Sequence, residues 1–493
     1  MTALVDCIAS HARLTPQRLA ARDFTLGQQW SYAEFDRLIG QLAAALAARG
    51  ASAGERVAVL ARNSAWLVAL HFACARLGAI YVPLNWRLSH PEIEALLERT
   101  TPCLLLGDAL AQGLPHAESL ATFVEAAQAG VPLATAPLDP ARVSLLLFTS
   151  GTSGRPKGVM VTERNLQYGA WNFAVCTRVD GASSFLCEAP MFHVIGLVTN
   201  VRPVLVQGGS IQVSDGFEPK RTLAWLSDPA LGITHYVGVP QMMEAFRHQS
   251  EFDPAPLRRL TALVSGGAPH ALEDLTARLR DGVAMVAGFG MSEAGTVFGM
   301  SVEPEVIRAK LGSAGIATPS LQTRVVDVSG EECPPGRPGE LLLRGPNVTP
   351  GYWQDPQETA KAIDPQGWFH TGDIVHCDED GFFWIVDRKK DMYISGGENV
   401  YPAEIEAVLS EHPDVAECAV VGVPDHKWGE VGYLAIVPAR AGLDTAQVLA
   451  FLETRLARYK LPKHVQIVAT LPRTATGKLQ KARLKGMVQT PER

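Results

Sequence analysis

Ser144-Leu-Leu-Leu-Phe148 runs straight into Thr149-Ser-Gly-Thr-Ser-Gly-Arg-Pro-Lys-Gly158. A short apolar run without polar alternation predicts a strand buried on both faces. It ends in a loop of hydroxyls and glycines that carries one lysine. Gly151, Gly154 and Gly158 permit backbone conformations and approach distances that a Cβ blocks, so several N–H groups can converge on an anion. Thr149, Ser150, Thr152 and Ser153 add hydroxyl donors, and Lys157 adds a point charge. The stretch therefore predicts a phosphate cradle. It is not a P-loop, which requires Gly-Lys-Ser/Thr opening a helix, because Pro156 precedes the lysine and Gly158 follows it. Val159-Met-Val161 is a second short apolar run, and Thr162 stands where it can cap a helix from Glu163, so the loop joins two strands.

Composition sets the frame for this loop. With 493 residues the chain needs two or three cores, and 47% hydrophobic with 19% charged residues describes a packed globule. A net charge of −7 offers no general attraction to nucleic acid or an anionic membrane. From Arg455 to Lys485, however, there are nine Lys or Arg and no Asp or Glu, which is either a solvated basic face or a site for phosphates. Eight cysteines without a Cys-x-x-Cys pair read as free thiols in a reducing compartment, and the N-terminus lacks a basic-then-apolar leader. Trp66 to Leu84, interrupted by His71 and Arg76, fits a helix followed by a buried strand and not a membrane span. These features predict a cytoplasmic protein with no integral membrane segment.

Arg56–Leu60, a helical pattern from Ser64 to Leu77 and Ala79–Pro83 form one strand-helix-strand unit, and Cys103–Leu106 is a further buried-type strand. Such alternation predicts layered α/β architecture with mostly parallel sheets. The Gly/Pro-rich stretch from Cys333 to Gly339 and the β-like runs Gly339–Arg344 and Gly381–Val386 predict a smaller β subdomain. Asp387-Arg-Lys-Lys-Asp391 marks the last boundary, dividing a large domain, 1–389, from a small α/β domain, 390–493. In the latter, a helix from Pro402 carries Ile405, Val408 and Leu409, strands lie at Val415–Val423, Tyr433–Val437 and Val465–Val468, and a second helix carries Val448, Leu449, Leu452 and Leu456.

The segment Phe148 to Gly158 resembles the signature of the adenylate-forming superfamily, which includes acyl-CoA synthetases, firefly luciferase and peptide-synthetase adenylation domains. Further family-like segments follow in order up to Lys478. The resemblance implies ATP, Mg²⁺ and coenzyme A as cofactors. Gly288-Phe-Gly-Met-Ser-Glu293 resembles the second signature, in which Phe289 lies near adenine and Glu293, with Thr149, holds Mg²⁺; Gly288, Gly290 and Ser292 complete it, with Phe and Ser in place of the usual Tyr and Thr. Gly367-Trp-Phe-His-Thr-Gly-Asp373 resembles the ribose-binding segment, and Arg388 is its partner. Gly267 and Ala268, in Ser265-Gly-Gly-Ala-Pro269, resemble pocket walls. Pro190-Met-Phe-His193 resembles the acyl-tunnel segment, where His193 acts as a gate. Pro472-Arg-Thr-Ala-Thr-Gly-Lys478 resembles the motif whose lysine bridges carboxylate and α-phosphate, and Gly396 falls where the pantetheine thiol enters. Lys390 is by resemblance the hinge about which the C-terminal domain presents these two segments in turn.

Arg388 to Glu406 is close to fatty-acyl- and aryl-CoA ligases, and Phe192–Gly196 has no aspartate to hold a substrate ammonium. The implied reaction is an acid–thiol ligation: a hydrophobic carboxylate and ATP give acyl-AMP and pyrophosphate, and coenzyme A then displaces AMP. Loading of a carrier protein and a non-catalytic nucleotide-binding regulator are the alternatives. The expected partner is a small-molecule carboxylic acid, fatty or aromatic; no nucleic acid is expected, and a homodimer is compatible with the reading.

Overall fold

The computed structural model describes residues 3–149, 156–249, 252–266, 282–283, 285–395, 398–440, 442–473 and 479–487. It divides into two compact units, Met1–Thr323 with Leu343–Phe369, and Arg324–Leu342 with His370–Arg493. Compactness thus groups the β subdomain with the C-terminal part. The 389/390 boundary is a division by motion and stands as a proposal.

Two sheets organise the first unit. In one, Ala117–Ser119, Leu104–Gly107, Arg56–Leu60, Ile80–Pro83, Val143–Thr149 and Lys157–Thr162 lie side by side in that order. All its pairings are parallel except the last, where Val143–Thr149 meets Lys157–Thr162 antiparallel with Thr149 opposite Lys157. The unbroken apolar runs are buried on both faces, as parallel strands covered by helices require. Helix Ala65–Leu77 ends at Gly78, whose φ of 78° supplies the left-handed turn into strand Ile80–Pro83. Thr162 caps helix Glu163–Thr177 reciprocally with Asn165, as the spacing predicts.

The other sheet runs Ile316–Ala317, Gly295–Gly299, Met285–Met291, Ala262–Gly266, His235–Gly238, Ser184–Cys187, Ser210–Val213, Leu19–Asp23 and Gln28–Ser31. Its middle is parallel and its outer pairings are antiparallel. The carboxyl ends of parallel strands are where open α/β sheets bind ligands. Strand Ser184–Cys187 releases the chain there into the Pro190–His193 turn.

The second unit is mostly antiparallel. One sheet orders Gln322–Val326, Gly339–Arg344, Phe369–Cys377 and Phe383–Arg388. The last begins two residues later than the expected run, because Gly381, at φ 83°, is held in a turn by Asp378. In the other, Val415–Asp425 pairs with Gly429–Pro438, which also pairs in parallel with His464–Ile467. Helices Pro402–Ser410 and Thr445–Glu453 bury Ile405, Leu409, Val448 and Leu452 against this sheet. Leu456, expected on the second helix, lies beyond its end but packs on the same core. The layered α/β class with a small α/β unit is the one expected. Among the described residues no helix is long and apolar enough to cross a membrane.

Candidate active site

Strand Lys157–Thr162 has a second neighbour besides Val143–Thr149. Trp353 N–H donates to the Gly158 carbonyl at 2.7 Å and Met160 N–H donates to that of Gly351 at 3.1 Å. Gly158 eases this approach: a Cβ would stand 3.2 Å from the Phe148 ring and 3.3 Å from Trp353 Cβ, a tight fit. This close approach lays Tyr352 beside Lys157, whose Nζ sits 5.0 Å from the centre of the phenol ring and 2.5 Å from Glu358 Oε2. Glu358 also takes Lys361, and the two lysines hold its carboxyl down at about 2. Tyr352 is buried and its hydroxyl donates to Glu293 Oε1 at 3.1 Å. Tyr352 therefore touches both the lysine of the first motif and the carboxylate of the second.

Glu293 is held from its backbone as well, its carbonyl accepting Thr349 N–H at 2.7 Å, while Ala294 O accepts from Asn347 Nδ2 at 2.8 Å. Gly290 and Gly295 let the two strands of this hairpin meet closely, since a Cβ on Gly290 would fall 2.6 Å from the Gly295 carbonyl oxygen. Phe289 stacks on Phe298 with centroids 5.4 Å apart, and Gly288 lies on the strand paired with Ala262–Gly266. Ser292 and Glu293 line a small cavity together with Asn165, Thr349, Val194 and Val198. The expected metal carboxylate thus opens onto the same space as Val194, which directly follows the expected acyl-tunnel segment Pro190–His193. A lone carboxylate beside a hydroxyl, completed by phosphate oxygens and water, is the donor set that Mg²⁺ takes in nucleotide sites. The residues present fit that ion.

His193 is half-buried, its ring 4.5 Å from that of Phe192. Its N–H donates to the Pro190 carbonyl, and a π-helical turn, Ile195–Thr199, follows. Gly196 has no alternative residue: a Cβ would lie 2.1 Å from Pro190 O. Turns of this kind recur at functional sites.

In the second unit Asp373 and Arg388 face each other across two strands, and Arg388 Nε lies 2.6 Å from Asp373 Oδ1. Asp373 is buried; Arg388 is half-exposed. Thr371 braces the pair, its hydroxyl accepting Asp373 N–H and donating to Leu341 O. Lys390 follows, exposed. Ser150, Gly151, Thr152, Ser153, Gly154, Gly267, Ala268, Gly396 and Lys478 lie outside the described residues.

Tyr352 and Glu358 were not foreseen. The signal available was Gly351-Tyr-Trp353, two aromatics directly after a Pro-Gly turn. Glu188 was missed too, although an acid between Ser184-Phe-Leu-Cys187 and Ala189-Pro-Met-Phe192 is conspicuous.

Residues 8–353 match the AMP-binding enzyme family and residues 404–478 its C-terminal domain. The chain belongs to the AMP-binding enzyme family. Within it, the chain is 39% identical over 486 residues to feruloyl-CoA synthase of an Amycolatopsis species, covering 96% of both chains. It is 37% identical over 509 residues to indoleacetate–CoA ligase of Aromatoleum aromaticum, covering 98% of both. Among solved structures, the o-succinylbenzoate CoA synthetase MenE of Bacillus subtilis, in complex with its acyl-adenylate intermediate, superposes with a TM-score of 0.89 at 29% identity, covering 98% of this chain and 99% of the other.

Proposed function

We propose that this AMP-binding enzyme activates an aromatic carboxylic acid with ATP and passes the acyl group to coenzyme A. The reaction is ATP-dependent acid–thiol ligation. The observation that carries the reading is that Glu293 and Ser292 line one small cavity together with Val194 and Val198. A carboxylate approaching the α-phosphate is an anion meeting an anion, so the site must supply cations and alignment. Lys157 serves the phosphates, Asp373 and Arg388 the ribose, and Phe289 the adenine. Glu293 and Thr149 would hold Mg²⁺, which neutralises phosphate charge when bound. His193 gates the acid, whose body faces apolar walls that cannot partner a second buried carboxylate. The feruloyl- and indoleacetate-activating relatives favour a ring over an aliphatic chain.

Lys478 bridges the carboxylate and α-phosphate, Gly396 leaves room for the thiol, and Lys390 is the pivot that presents the two in turn. Domain 390–493 moves on that pivot. The presence of both Glu293 and Lys478 speaks against a non-catalytic regulator. Free cysteines throughout support a cytoplasmic setting, and the proposed partner is a free small acid; sedimentation would reveal a homodimer.

A pyrophosphate-release panel of ferulic, cinnamic, benzoic, indoleacetic, malonic and short- to long-chain fatty acids, each with and without coenzyme A, tests the reading. An aromatic acid is expected to give the highest kcat/KM, with AMP and thioester formed together. A fatty acid or malonate as best substrate would overturn the aromatic assignment, and turnover indifferent to coenzyme A would favour a carrier protein.

A further inference from the structure

Glu188 is 2% exposed and sits at the carboxyl end of strand Ser184–Cys187, five residues before His193. Three hydroxyls from three separate elements converge on its carboxylate: Ser214 Oγ donates to Oε1 at 3.0 Å, and Thr222 Oγ1 and Tyr236 OH donate to Oε2 at 2.8 and 3.1 Å. Ser214 follows the strand paired on one side of Ser184–Cys187, and Tyr236 lies on the strand paired on the other. All three donors are fully buried. The backbone beyond the carboxylate is gripped as well. Asn63 Nδ2 donates to the carbonyls of Glu188 at 3.2 Å and Ala189 at 2.9 Å, and Asn63 Oδ1 accepts Met191 N–H at 2.9 Å.

Burying a carboxyl costs stability, and here it pushes the group up to about 7 against the pull of the three hydroxyls; Arg221 acts on it only through space. A hydrophobic residue would fill the same volume without that cost. What a leucine could not do is tie two neighbouring strands and a helix to the point where the chain leaves the sheet for the gate. Ser214 and Thr222 have second acceptors, the carbonyls of Gly216 and Glu218. Tyr236 spends its single hydroxyl proton on Glu188.

The geometry points to Glu188 as a positioning residue that, with Tyr236 and Asn63, fixes the Pro190–His193 turn and so sets acid selection in the proposed ligase. This rests on the functional reading above. The carboxylate touches no reacting atom; it acts through the placement of Phe192 and His193, where a displacement of about 1 Å can cost on the order of a hundredfold.

The test uses the full-length protein and ferulate, or whichever acid of the panel is turned over best. KM for the acid and KM for ATP are measured separately for Glu188→Leu, Glu188→Gln and Tyr236→Phe, with thermal unfolding as the control for folding. Glu188→Leu should raise the acid KM by about tenfold or more with ATP KM unmoved. Glu188→Gln, whose amide oxygen still accepts from Tyr236, should restore it to within about threefold. Tyr236→Phe should raise the acid KM in the native background and add nothing to Glu188→Leu. A folded Glu188→Leu protein with native acid KM, or equal rises in both KM values, would overturn the inference. Should the leucine variant fail to fold, Tyr236→Phe decides alone, and an unchanged acid KM overturns it. If the unmodified protein turned over no acid at all, both the functional reading and this inference would fall.

Discussion

Lys157 and the cations between Arg455 and Lys485 carry the same charge in different company. In the first unit Lys157 lies over a phenol ring and pairs with Glu358, a surface carboxylate that already has Lys361 as a second partner. If Lys157 serves the phosphates as proposed, that ion pair can be given up without leaving Glu358 without a cation. In the second unit four of these cations are held by acids: Lys460 meets Glu404 at 2.5 Å, Arg473 meets Glu417 at 2.7 Å, Lys481 meets Glu406 at 2.9 Å and Lys485 meets Glu430 at 3.4 Å. Glu406 also accepts Val420 N–H and is largely buried, which raises its carboxyl while Lys481 draws it down. On the proposed reading Lys157 serves a ligand because its protein partner is replaceable, whereas Lys481 is a brace because its partner is not.

Three substitutions break or sharpen this contrast. Lys478→Ala has the largest expected effect, since it removes the one tail cation assigned to chemistry. Adenylation, followed by pyrophosphate exchange, should fall by on the order of 10²–10³ or more, while thioester formation from supplied acyl-AMP persists. Equal loss of both half-reactions would return Lys478 to the structural group. Lys157→Ala should raise the KM for ATP by about ten- to a hundredfold, the worth of a charged hydrogen bond, with thermal stability near native because Glu358 keeps Lys361. Lys481→Met should give the opposite phenotype: ATP KM near native, and a loss of about 1–3 kcal/mol in unfolding free energy, because Glu406 is left buried without its cation. If these last two exchanged phenotypes, the distinction between the regions would be wrong.

The contrast also explains what was legible in the sequence. Strands such as Val143–Thr149 and helix caps such as Thr162 are local matters of apolar run and hydroxyl placement, and they form where those patterns predict. The ordered motifs were legible because Gly158, Glu293 and Asp373 sit in distinctive short contexts. Pairings were not. The basic tail reads as a solvated face or an anion site because its neutralising acids lie from 55 to 75 residues earlier in the chain. Tyr352 and Glu293 are 59 residues apart and meet only through the sheet. Glu188 draws its donors from residues 26 to 48 positions onward, which no periodicity connects.

Asp387 would give the hinge proposed at Lys390 a resting preference. Its Oδ2 accepts the N–H of Ala403 at 2.8 Å, in the first turn of helix Pro402–Ser410, which makes no side-chain hydrogen bond with its own cap residue. Asp387 precedes Lys390 and Ala403 follows it, so the proposed pivot at Lys390 would pull the cap away from its helix. Capping interactions are worth about 0.5–2 kcal/mol, a bias of about two- to thirtyfold between the capped and uncapped arrangements. On the proposed pivot the chain would be a loaded balance whose waiting state is chosen by one carboxylate three residues from the fulcrum.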